Sequence, residues 1–319
     1  MTESHLILGL GELLWEVPEA GPRAASLAGE GPQPMGVGGA PAHFAVMASL
    51  LGDHAAILSR IGRDDLGRRA MDCLDPLPVD ASFLQVDPKH VTGRVMVEFK
   101  DGQPHATIHQ PAAWDFLELS DEWVQLAERA NAICFGSLAQ RCPESRQTIQ
   151  TLAAQTSAEC IRVFDVNLRP PFYCGETIQE SLELATVLKM NDAEAPLILG
   201  LLGLPGGEAA DELRLGAERL LGEFPMLKMV AVTRGSHGSL LVTREGWHEH
   251  PGIPVKVADT IGAGDAFTAA LTHYLLRGAD LATLNEAGNR WGGWMASQAG
   301  VLPALSNEVR VGIAAAIEG

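Results

Sequence analysis

The sequence has no run of about 20 uninterrupted apolar residues, so no membrane-spanning helix is expected from it. Its N-terminus, MTESHLILGL, lacks a basic flank before a long apolar stretch, so no secretory signal is read there. Basic residues are scarce: 23 Lys and Arg stand against 40 Asp and Glu, a formal charge of −17. That balance excludes a basic footprint for nucleic acid and disfavours an anionic membrane surface. Any phosphate site must therefore be made locally, from backbone amides or a few placed cations. Cysteine is sparse and odd in number: Cys73, Cys134, Cys142, Cys160 and Cys174. They form no CxxC pair and no metal-ligand spacing, so reduced thiols in a cytoplasmic protein are expected. Tandem repeats, low-complexity tracts and a GxxxxGK[ST] phosphate loop are also missing.

What is present suffices for a sizeable core: 319 residues, 46% of them hydrophobic. HLILGLGELLW reads as a buried first strand, followed by a Gly- and Pro-rich segment of turns and short exposed strands. A helix is expected from Ala42 to Leu51, a strand over HAAILSRIG, and a helix over DDLGRRAMDCL. Two short β-type runs, TGRVMVEF and PHATIH, flank the turn KDGQP. After Trp114 strands and helices alternate, which predicts a mostly parallel sheet covered on both faces, with ligands beyond the carboxyl ends of its strands. GSLLVTREGWHEH reads as a hairpin, and three helices starting near Asp265, Leu281 and Ser306 close the chain. The β material before residue 115 has no helices of its own and is read as a lid.

The segment VADTIGAGDAFTAALTHYLLRG supports two readings. Gly262 and Gly264 permit a tight turn, with Asp265 stabilising the helix start. The same glycines let an anion approach the free amides of a first helical turn, beside a carboxylate.

This segment resembles the DTxGAGD signature of the ribokinase-like (PfkB) carbohydrate kinases. GVGGAPAHFAVMASLLG is similar to their GGxxxN signature, IGRDDLG to IGxDxxG, LKMNDAE to NxxE, and VTRGSHGSLL to VTxGxxG. GELLWE and FDVNLRPPFY resemble fructokinase-like members. The resemblance implies an α/β ribokinase-like, Rossmann-type sheet and one domain over 1–319, with lid excursions at about 12–37 and 90–114. It implies ATP-dependent phosphorylation of a primary hydroxyl of a monosaccharide, fructose or a similar ketose. A nucleoside or 2-keto-3-deoxygluconate kinase is the alternative within the fold. A catalytically silent sugar-binding regulatory protein is the alternative of another class, but such a protein should lose Asp265 or the glycines.

By resemblance Asp265 is the general base, and the amides of Gly262, Ala263, Gly264 and Asp265 form an anion hole. Asn191 and Glu194 would organise Mg2+ and its waters, although N-x-x-E is also a helix-start pattern. Thr233, Gly235 and Thr260 would border the nucleotide phosphates, with Arg234 an added cation or an ordinary surface residue. Asn289 would flank adenine. Asp259, Ile261, Met295, Gln298 and Gly300 match a carbonyl-rich K+ site, with Ala304 where some relatives have a Ser ligand. On the sugar side lie Gly38, Gly39, His43 in place of the usual Asn, and Glu16 in place of the usual Asp. Arg94 and Trp114 are further pocket candidates. Arg169 would contact a phosphate or pair with Asp165. Relatives pair their lids, so a homodimer is implied.

Overall fold

The computed structural model describes residues 4–18, 36–100, 103–206, 210–300 and 302–318. The first half runs β1 (Leu6–Leu10), β2 (Leu14–Pro18), β3 (Gly36–Gly38), α1 (Ala40–Leu51), β4 (His54–Leu58), β5 (Arg60–Gly62), α2 (Asp65–Leu74), β6 (Gln85–Asp87), β7 (Gly93–Lys100) and β8 (Gln103–Ile108). Alternation follows: α3 (Asp121–Arg129), β9 (Ala132–Gly136), α4 (Pro143–Gln155), β10 (Ile161–Asp165), α5 (Gly175–Leu184), β11 (Val187–Asn191), α6 (Glu194–Leu201), α7 (Ala210–Glu223) and β12 (Met229–Thr233). A hairpin of β13 (Ser239–Thr243) and β14 (Trp247–His250) precedes α8 (Ala263–Leu275), α9 (Leu281–Ala296) and α10 (Asn307–Glu318).

The main sheet has the order β14-β13-β12-β11-β10-β9-β1-β4. It is parallel from β4 to β12, and the hairpin adds an antiparallel edge. Its central strands are mostly apolar because side chains alternate between two covered faces. Ile7, Val163, Val187 and Ala231 share a core with α1, α8 and α9. Leu8, Phe135, Phe164, Leu188 and Val230 share the opposite core with α3 to α7. Each such fully buried side chain contributes about 1.5–3 kcal/mol. Connections leave β1 toward β4 on one side and β9 on the other, so the strand order reverses at the carboxyl end of β1. Ligand crevices of doubly wound sheets lie at such a reversal.

A second sheet, β3-β2-β7-β8, rises from that end. It is built from 14–18, 36–38 and 93–108; the Gly- and Pro-rich segment over 19–35 lies outside the described residues. HAAILSRIG splits where one strand was expected. Its first half joins the main sheet, and Arg60–Gly62 pairs with β6 instead. Helix α1 begins two residues before Ala42, with Pro41 in its first turn. Helix α6 was anticipated only as the start that the N-x-x-E pattern allows, with no extent given. No helix among the described residues is long and apolar enough to cross a membrane.

Candidate active site

The first turn of α8 opens at the carboxyl end of the main sheet. Gly262 is its N-cap, with no side chain capping the turn, so amides there are left for an outside partner. Asp265 sits in that turn and is partly exposed. Its Oδ2 lies 3.1 Å from Nδ1 of His43, on α1. His43 is buried, and its Nε2 lies 3.1 Å from the Val37 carbonyl oxygen at the end of the small sheet. Two segments 222 residues apart thus meet at one carboxylate.

Beneath the turn lies a charged pair. Asp165 and Lys189 are register partners on β10 and β11 and point toward α8. Lys189 Nζ donates to Asp165 Oδ1 at 3.1 Å. The Thr268 hydroxyl of α8 lies 2.9 Å from Asp165 Oδ2 and 2.9 Å from the Gly264 carbonyl oxygen. A Cβ at Gly264 would sit 2.9 Å from Lys189 Nζ, so glycine lets the ammonium come directly under the turn. Burial, opposed by Lys189 and reinforced by Asp265 and Glu194, pushes the Asp165 carboxyl up to about 6. It is therefore ionised at neutral pH. Burial disfavours the Lys189 charge, but Asp165, Asp265 and Glu194 outweigh it and raise its pKa. Lys189 is a fixed buried cation.

Asn191 and Glu194 close a reciprocal cap. Asn191 Oδ1 accepts from the Glu194 amide at 2.8 Å, and Glu194 Oε2 accepts from the Asn191 amide at 2.8 Å. Glu194 Oε1 also accepts from the Leu168 amide, locking the NLR segment. Direct ligation would compete with these bonds, so the pair fits a cation held through water. Thr233 pairs with Asn191 across β12 and β11, and the exposed Gly235 follows it. Arg234 is held by Glu249 and the His250 carbonyl. Asn289 Nδ2 donates to Ser239 Oγ and the Asn285 carbonyl, so its side-chain N–H groups serve α9 and the hairpin. The Ala258 and Asp259 amides both donate to Ala296 O, which ties the segment before the α8 turn to the last residue of α9, one past Met295. Asp259 Oδ1 accepts from the Ile261 amide at 3.0 Å.

Among the residues expected to hold the sugar, Gly39 has φ +115, and a Cβ there would sit 2.2 Å from the Glu12 carbonyl oxygen, so the β3–α1 turn requires glycine. Gly38 pairs with Leu14 and leaves Glu16 open on the same face. Glu16 has its carboxyl raised by burial, against the opposing charge of His43 and with Asp259 adding to the rise. Arg94 pairs in register with Trp15, whereas Glu16 pairs with Val95. Successive strand residues face opposite ways, so Arg94 lies on the other face of the small sheet from Glu16. Trp114 is fully buried, with Arg141 over its ring at 4.0 Å. Arg169 is exposed and does not pair with Asp165, because Lys189 occupies that carboxylate.

A carboxylate beside first-turn amides that no side chain caps, backed by a buried ammonium, can accept a proton while an anion is held. The pfkB family carbohydrate kinase model matches residues 25–307. The chain belongs to the pfkB family of carbohydrate kinases. The pfkB kinase is 30% identical over 249 residues to the fructokinase of Escherichia coli, covering 73% of this chain and 75% of the relative. It is 30% identical over 260 residues to a sugar kinase of Pyrococcus horikoshii, covering 79% and 78%. The solved structure of that sugar kinase superposes with a TM-score of 0.77 at 28% identity, covering 93% of each chain. A fructokinase from Xylella fastidiosa, solved with bound ATP, shares the fold, with a TM-score of 0.82 at 20% identity over 98% and 99% of the two chains.

Sequence reasoning on this kinase missed Lys189, Asp165 as its partner, and Glu12. The signal for Lys189 was a lone ammonium inside the apolar strand TVLKMN, since buried Lys is rare unless paired. Glu12 is buried, its Oε1 3.3 Å from the Ala40 amide. Burial, with the Asp265 charge adding to it, pushes Glu12 up to about 7.

Proposed function

We propose that this kinase transfers the γ-phosphoryl group of ATP to a primary hydroxyl of a neutral ketose, fructose or a close analogue. The observation that carries the proposal is Asp265 standing in the amide-rich first turn of α8, at the strand-order reversal. In this reading Asp265 takes the hydroxyl proton. The amides of Gly262, Ala263, Gly264 and Asp265 hold the transferred phosphoryl oxygens, and Lys189 supplies a fixed positive charge behind them. Phosphoryl transfer depends on positioning and charge stabilisation, so a modest carboxylate base suffices.

When bound, Mg2+ would supply positive charge at the phosphates. Its waters fit Asn191 and Glu194, because Asp165, Glu194 and Asp265 outnumber the one ammonium nearby. Thr233, Gly235 and Thr260 would border the nucleotide phosphates, and Asn289 the adenine side. The carbonyls around Asp259, Ile261, Met295, Gln298 and Gly300 suit a K+ ion next to the anion hole.

The sugar would lie over Gly38 and Gly39, between His43 and Glu16. Carboxyl groups dominate that space: Glu12, Glu16, Asp259 and Asp265 face the cations His43 and Arg169. An acidic sugar would add a charge of the wrong sign, and Arg94 is on the wrong face to offset it. A coupled ADP-release assay should therefore give the highest kcat/KM with fructose and the lowest with 2-keto-3-deoxygluconate, with ribose and adenosine also slow. Preference for the acidic sugar would overturn the neutral-ketose assignment.

The four-stranded sheet acts in this reading as a lid that pairs with the lid of a second copy. Strand β8 leaves an outer edge with no strand partner among the described residues, and such edges are usually covered. Light scattering at working concentration is expected to give twice the chain mass, and a clean monomer would rule the dimer out.

A further inference from the structure

His43 is 4% exposed and has an oxygen acceptor at each ring nitrogen. The Val37 carbonyl can only accept, so Nε2 carries a hydrogen. An ionised Asp265 also only accepts, so the 3.1 Å contact places a second hydrogen on Nδ1. A ring protonated at both nitrogens is the imidazolium. The charged groups facing it are Asp265 from α8 and Glu16 from β2. Helix α1 and strands β1 and β9 carry no other charged side chain, and Glu12 lies beside Ala40 at the start of α1.

We propose that His43 is a positioning residue for the base: as an imidazolium it holds Asp265 Oδ2 and leaves Oδ1 to receive the sugar proton. The proposal rests on Asp265 being the base. In the step, the sugar O–H bond breaks and the O–P bond forms while the bond from the γ-phosphorus to the bridging oxygen breaks, releasing ADP. The proton goes to Oδ1. The hydrogen on Nδ1 stays where it is, because Oδ2 accepts it whether the carboxyl is ionised or protonated.

Burial pulls the His43 pKa down, but the hydrogen bond and charge of Asp265, the Val37 carbonyl and the Glu16 charge raise it above the usual 6.5. A raised pKa means the clamp is complete below the unfolded value of 6.5 and is lost as pH rises through the folded one. Above that point the Nδ1 lone pair would face the carboxylate.

Nitrogen-15 NMR of the full-length protein without substrate should show the His43 ring protonated at both nitrogens near pH 6.5 and titrating above it. In Asp265→Asn that titration should move to lower pH. In His43→Asn the signal should vanish, and kcat with fructose should fall with KM changed less. A His43 that titrates at or below 6.5 and ignores Asp265→Asn would overturn the clamp, even if His43→Asn proved too unstable to assay. Should Asp265→Asn abolish turnover without moving His43, the base would stand and only the clamp would fall. An active Asp265→Asn enzyme would remove the base assignment itself.

Discussion

Asp265→Asn is expected to lower kcat by about 10²–10⁴-fold, the contribution of a positioned general base. The substitution keeps the shape of the side chain and its place in the first turn of α8, but takes away the proton acceptor and the charge. The amides of the turn come from the backbone and persist, so the ATP KM should change little. Single-turnover measurements under saturating ATP and fructose would isolate the chemical step. The loss should appear there undiminished, because it belongs to the transfer itself and not to product release. A kcat within about tenfold of the parent would mean that proton removal needs no side chain here, and the base assignment would be abandoned. The helix-terminus part of the folding cost should be small, about 0.3–1 kcal/mol, with the weakened His43 contact added to it.

Lys189→Met is expected to act on both stability and rate. Lys189 is 6% exposed, and Asp165 has no other cationic partner among the described residues. Removing the ammonium leaves Asp165 buried near Glu194 and Asp265. Breaking such a pair from one side costs about 3–5 kcal/mol, which lowers Tm by on the order of 10 °C in a chain of this size. Adding Asp165→Asn should recover most of the stability, because the uncompensated charge is gone. It should not recover kcat, because the positive charge under the anion-holding turn is still missing. Calorimetry and steady-state rates on the two single variants and the double variant form a cycle that separates these effects. A double variant restored in both respects would show that Lys189 serves folding alone.

The turn at the start of α8, proposed for phosphoryl transfer, was legible as a structural element because it is local. The segment from Thr260 to Asp265 is a contiguous turn and helix start, and Gly262 does become the N-cap. Asn191 and Glu194 were readable in two ways, as a cap and as cation organisers, and the cap is made bond for bond. The alternation of strands and helices after Trp114 was readable from its periodicity, and its boundaries shifted by only a residue or two. The extent of helix α6 escaped because EAPLILGL is apolar all round and carries a proline, so it shows no amphipathic stripe. The split of HAAILSRIG at Ser59 escaped because both halves are extended. Only their different partners, β1 and β6, separate them.

Contacts that span the chain could not be read in advance. Asp165 and Lys189 belong to adjacent strands whose register is fixed by the whole sheet. His43 and Asp265 meet because α1 and α8 pack on the same face of that sheet. The direction of Arg94 follows from lid register, where a shift of one residue reverses a side chain. The sequence by itself determined the element types, the two-faced sheet and the glycine-carboxylate turn, because each depends on neighbours a few residues away. The tertiary structure alone decided that a buried lysine backs the turn, that a histidine holds the carboxylate, and that the sugar side is rich in carboxyl groups. Those outcomes depend on chain closure over long separations, which local periodicity does not encode.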